Sequence, residues 1–113
     1  MLNDTLRVLE EAIRDRKHIT FHYSDGAREV EPFLVGRLKT TRNLVLSAWH
    51  ISGFTESHSK PEWRVYTVAK IRHLSILNRE FDGLRPKFNP KDSRMREILF
   101  AVDPDDRSNP EDR

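Results

Sequence analysis

Near residue 17 the hydrophobic period of this chain changes from that of a helix to that of a strand. Upstream, Leu2, Leu6, Leu9 and Ile13, with Ala12 beside them, recur at helical spacing and leave Arg7, Glu10, Glu11 and Arg14 to water. Asn3 or Asp4 supplies the short polar side chain that accepts a hydrogen bond from an otherwise unpaired amide in the first turn, so an amphipathic helix is predicted to about residue 16. Downstream, Ile19, Phe21 and Tyr23 alternate with His18, Thr20 and His22, as a half-buried strand requires. A chain that begins this way has to bury one helical stripe and one strand face against its remaining residues.

Those residues are mostly strand-like. Asp25-Gly26 predicts a tight hairpin turn, because glycine tolerates positive φ. A second strand is expected from Arg28 to Leu38, bent at Pro32, whose missing N–H suits a bulge or an edge. After the polar turn 39–43, Leu44 to His50 is apolar on both faces for much of its length and is expected to be a central strand. The run 51–61 has loop composition, with Phe54 placed to cap the barrel or a pocket. Glu62 to Val68 and Ile71 to Leu77 give strands four and five. Phe81, Leu84 and Phe88, spaced among Gly83, Pro86 and Pro90, predict an irregular wrap over the core. Asn89-Pro90 resembles an N-cap with proline in the first turn, which predicts a short helix through Met95 and Ile98. Residues 101–113 have an acidic and polar composition and are expected to form a disordered tail behind a single domain of residues 1–100. The fold class expected is mainly β with one or two helices: a small antiparallel barrel or strongly curled sheet preceded by an N-terminal helix.

The chain has 113 residues, 36% hydrophobic and 34% charged, enough for one small core under a heavily charged surface. It has no cysteine, which excludes disulfides and thiolate zinc sites and points to a reducing compartment, the cytoplasm. No stretch approaches the roughly 18 apolar residues that span a bilayer, so no membrane role is expected. The net charge of +2 is mildly basic and favours the approach of an anionic partner.

Few residues carry a chemistry. His18 and His22 lie on one strand face about 13 Å apart, too far to share a metal, and His50, His58 and His73 lack a regular ligand spacing. There is no Gly-x-Ser-x-Gly turn, no phosphate-cradling glycine loop and no pair of carboxylates flanking an apolar cleft sequence, and Glu31, which could act as an acid or base, is expected instead to pair with a neighbouring arginine or cap the bulge; the chain reads as a non-enzyme needing no cofactor. The basic residues are more suggestive. Arg37, Lys39 and Arg42 surround one turn, Arg64 lies in strand four, and Lys70 and Arg72 open strand five. Guanidinium groups suit phosphates, and Trp63, Trp49 or Tyr66 could stack on bases.

The order of these signals resembles the WYL domain family. The resemblance lies in "LEEAIRDRKHITFHYSDG" at 9–26, "VEPF" at 30–33, a central strand ending in His50, and "EWRVYTVAKI" at 62–71. It implies a bacterial ligand-sensing module on an SH3-like or Sm-like β-barrel, of the kind that most members attach to a winged helix-turn-helix domain in transcription regulation. Where that family carries its Trp-Tyr pair this chain has Asn43-Leu44, and two of the family's arginine positions are Thr67 and Lys70, whereas Arg64 matches. With no second helix to enter a DNA groove, a stand-alone sensor or adaptor is expected. The resemblance implies binding of an anionic ligand, a nucleotide or single-stranded nucleic acid, through Arg64, Lys70 and Arg37 at the barrel rim with Trp63 or His50 nearby. The alternative is a protein-interaction or homodimer module that docks through a strand edge or the C-terminal wrap, a reading that an exposed apolar patch of Phe54, Phe81 and Phe88 would support.

Overall fold

The computed structural model describes residues 2–24, 26–53 and 62–104. Helix α1 (Leu2–Asp15) is followed by strands β1 (Lys17–Tyr23), β2 (Gly26–Leu38), β3 (Leu44–Gly53) and β4 (Glu62–Thr67), a 3-10 turn (Val68–Lys70), and strands β5 (Arg72–Glu80) and β6 (Met95–Ala101). The helical stripe behaves as its spacing predicts, with Leu9, Ala12 and Ile13 buried in the same cluster as Ile19, Phe21 and Val30. Arg16 ends the helix in the left-handed region, at φ 55°, and its side chain donates to the carbonyl of Asp103 at 2.7 Å.

The strands form one antiparallel sheet in the order β4-β3-β2-β1-β5, with β6 added to β2. Strand β2 has neighbours on both sides along most of its length. One edge pairs throughout with β3, while the other is shared, residues 26–30 with β1 and 34–38 with β6. Pro32, which has no N–H to give a ladder, falls at the handover between those two partners, and the β2–β3 register slips between Pro32 and Leu34. The bend expected at Pro32 is this bulge. Because side chains alternate, a one-residue slip exchanges faces, and Leu34 accordingly packs with Val45 and Met95 in a second, smaller cluster while Val35 joins the main core.

The expected SH3-like barrel does not form: among the described residues β4 and β5 share no ladder, and the sheet is open. The physical reason lies in how the chain passes between them. It turns directly through the 3-10 segment, and the amide of Thr67, which a closing ladder would use, donates to Tyr23 Oη at 2.9 Å. Tyr66 of β4 reaches β1 instead, edge-on to both Phe21 and Tyr23 at 5.0 Å between ring centres.

The second helix expected through Met95 and Ile98 is also absent, and that segment is β6. Asn89 Oδ1 accepts the amide of Lys91 and Asp92 Oδ1 that of Arg94, both at 2.9 Å, so successive turns capture the amides a helix start would need. The free edge of β2 beyond Pro32 then offers residues 95–101 a ladder. Close approach there requires Gly36, where an added Cβ would stand 2.5 Å from the carbonyl oxygen of Glu97. Order continues past residue 100: Val102 is buried and donates its amide to Phe33 O at 2.7 Å. Residues 105–113 of the expected tail, and the Phe54 loop, lie outside the described residues.

The wrap at 81–94 packs on the sheet around Phe33 and Trp63. Phe33 touches the rings of Trp63, Phe81 and Phe88 at 5.0–5.2 Å, and Trp63 Nε1 donates to Pro86 O at 2.6 Å. An ionic cluster fixes the same segment. The Glu31 carboxylate, 3% exposed, takes two hydrogen bonds of 2.7 Å from Arg85 and lies 3.4 Å from His18 Nε2, while His18 Nδ1 and Arg79 both meet Glu29, at 2.8 and 2.6 Å. Glu31 thus pairs with an arginine, as expected. Of the apolar patch expected around Phe54, Phe81 and Phe88, Phe81 is buried and Phe88 half-buried, and Phe54 lies outside the described residues.

Candidate ligand site

The inner face carries polar groups at one end only. In β3, Leu44, Leu46 and Ala48 point into the main core, and alternation places His50 on that same face, opposite Val30 of β2 and Glu62 of β4. Arg64 pairs with Ala48 and shares its face with Tyr66, while Arg28 pairs with Phe21 and shares its face with Val30. Five groups therefore gather where β1–β4 end together: His50, Arg64, Arg28, Tyr66 and Tyr23. Arg28 Nη2 donates to the Tyr23 carbonyl at 3.2 Å, and Arg64 Nη2 meets the Glu62 carboxylate at 2.5 Å.

His50 is the unusual member. It is 1% exposed, and neither ring nitrogen has a hydrogen-bond partner among the described residues. Burial pushes its pKa below the ordinary imidazole value, and the charges of Arg64 and then Arg28 push it further, against a smaller opposing effect of Glu62. Tyr66 is raised, chiefly by burial. Inside a folded protein a neutral imidazole presents one donor and one acceptor, and leaving both unmade is unfavourable by about 1–3 kcal/mol per group.

The lowered pKa has a consequence for stability. The unfolded chain takes up a proton at His50 near pH 6.5 and the folded chain does so only at lower pH, so the unfolded state binds more protons between the two values and stability falls as pH drops through that window. Urea unfolding at pH 7.5 and pH 5 should show a decrease that is smaller in His50→Gln. An equal decrease in both proteins would show that His50 does not carry this effect.

The structure brings together two of the sequence-predicted residues, Arg64 and His50. Arg37 lies at the other end of the same strands, opposite Leu44 and Glu97, which puts it about 13 Å along the sheet from the Arg64 register. Its guanidinium is 3.9 Å from the Glu97 carboxylate. Lys70 is exposed in the 3-10 turn beyond Thr67. Trp63 faces the opposite side, between Phe33, Phe88 and Trp49, and the Arg85 guanidinium sits over the Trp49 ring at 5.2 Å. Arg28 and Tyr23 were missed. Their signal was parity, since Arg28 alternates with Val30 and Tyr23 with Phe21, but only the pairing of β1, β2 and β3 places them beside a histidine that is distant in sequence.

The sequence profile of the WYL domain matches residues 4–76, well over half of the chain. This chain belongs to the WYL domain family. No curated protein and no solved structure gave a match. WYL domains are non-catalytic regulatory modules that interact with ligands or nucleic acids, and in this WYL domain the matched region ends within β5, so the wrap and β6 lie outside it. No helix of this WYL domain, among the described residues, is long and apolar enough to cross a membrane.

Proposed function

We propose that this WYL domain is a regulatory module that binds an anionic ligand, a nucleotide or single-stranded nucleic acid, at the inner-face cluster of Arg64, Arg28, His50 and Tyr66. The observation that carries the reading is His50, buried and without a hydrogen-bond partner among the described residues, beside two guanidinium groups. A phosphate oxygen entering the cluster accepts charge-assisted hydrogen bonds from the arginines and one from the imidazole. Arg37, far along the same strands, and Lys70, in the turn after β4, join only if the ligand is extended, as a single strand is; a mononucleotide engages the inner-face cluster alone.

The test is fluorescence anisotropy with a labelled single-stranded oligonucleotide and with a mononucleotide, at low and high salt. Affinity for the oligonucleotide should fall steeply as salt rises, because phosphate neutralisation releases counterions. Arg64→Ala should weaken both ligands by about tenfold or more, the loss of one charge-assisted hydrogen bond, and Arg37→Ala should weaken the oligonucleotide only. Absence of binding to either ligand at low salt would remove this reading.

A second reading, self-association, draws on the open sheet. Strand β4 lies at its end, and Val65 on that strand is 40% exposed. Unpaired edge strands are templates for pairing with another chain. Sedimentation that shows only monomer at high concentration would exclude it.

A further inference from the structure

We propose that His22 and His73 form a second site, separate from the ligand cluster, for a borderline divalent metal ion such as Zn2+, Ni2+ or Cu2+. The two rings stand on neighbouring strands with their centres 5.4 Å apart and their planes at 82°, and both side chains are exposed. Two backbone irregularities create the juxtaposition. The register of β1 against β5 shifts between Thr20 and His22, and His73 adopts φ 56°, a left-handed conformation uncommon outside glycine.

The separation suits coordination. A metal–nitrogen distance of about 2.0–2.1 Å places each ring centre about 3.2 Å from the ion, so two imidazoles on one tetrahedral centre stand about 5.2 Å apart. The observed spacing needs only rotation of two exposed rings about their terminal torsions, which are soft. Among the described residues neither imidazole makes a hydrogen bond or an ion pair, so no protein group competes for the lone pairs. The nearest cation in sequence, Arg72, turns its Nη1 towards the carbonyl of Ala69 at 3.3 Å. No group of three or more potential ligands occurs among the described residues, so water completes the coordination sphere. Imidazole nitrogen favours zinc, nickel and copper over magnesium and calcium.

The full chain, stripped with a chelator, is titrated with Ni2+ and Zn2+ by calorimetry, and with Zn2+ while the imidazole 15N resonances are recorded. One ion should bind per chain with micromolar affinity, Zn2+ should shift His22 and His73, and Mg2+ should produce no change. His22→Gln and His73→Gln should each weaken binding at least about tenfold, since even outer partners of metal ligands are worth that much. A titration without heat, or an affinity retained in the double variant His22→Gln/His73→Gln with an unchanged urea midpoint, would overturn the site.

Discussion

Replacing Arg85 by Met is expected to lower the unfolding free energy by about 3 kcal/mol, read from urea denaturation at neutral pH. The effect arises at Glu31 rather than at Arg85. The Glu31 side chain is 3% exposed and takes two 2.7 Å hydrogen bonds from the guanidinium, whose own pKa is raised first by that hydrogen bonding. Removing Arg85 leaves a carboxylate under the wrap whose remaining close partner is the His18 ring, with Nε2 at 3.4 Å. Arg85 is itself 37% exposed, so water reaches one end of the pair and the loss stays at the lower end of the range for buried pairs. The same substitution takes a cation from over the Trp49 ring and unfastens the wrap from the sheet. The double variant Glu31→Gln/Arg85→Met should recover much of the loss, because no unpaired charge is left behind. A single-variant change within 0.5 kcal/mol, a typical surface effect, would mean that the cluster does not hold the wrap.

Gly36→Val is expected to cost about 2–3 kcal/mol, for a different reason. A Cβ at this position would meet Glu97 O at 2.5 Å and Met95 Sδ at 3.2 Å, and the first of these is backbone that moves only with the whole of β6. Overpacking at such a contact forces strands apart. At Gly83 an added Cβ meets nothing within 4 Å, so Gly83→Ala should be neutral or stabilising by about 0.4–1 kcal/mol through the unfolded state. Equal urea midpoints for Gly36→Val and wild type would contradict the tight β2–β6 pairing, and the near-UV spectrum of Trp63 would report whether the outer aromatic cluster loosens with it.

Local signals were legible where they were strong. The apolar stripe of α1, the alternation through Ile19, Phe21 and Tyr23, and the consequence of a proline at position 32 each rest on a short-range rule, and each has its counterpart in the structure. Closure of the sheet was not legible, because it depends on whether the Thr67 amide meets a strand or a phenol oxygen from a residue 44 positions away. The segment 89–101 misled for a related reason. Asn89-Pro90 begins a helix or an Asx turn equally well, and the strand after it is selected by the unpaired edge of β2, which no local pattern reveals. In the candidate site, Arg64 was visible from its own strand, whereas Arg28 looked like an ordinary strand-entry charge until the hairpin register set it near His50. Trp63, chosen as a stacking surface, faces the other way because residue 63 and residue 64 point to opposite sides of β4.

The central claim is that an anion enters beside His50 between Arg28 and Arg64. It is tested most directly by following the 15N resonances of the His50 imidazole and of the two guanidinium Nε atoms while a single-stranded oligonucleotide is added at low salt. All three should move together and saturate at one ligand per chain. Saturable shifts confined to other residues, with these three unmoved, would contradict it.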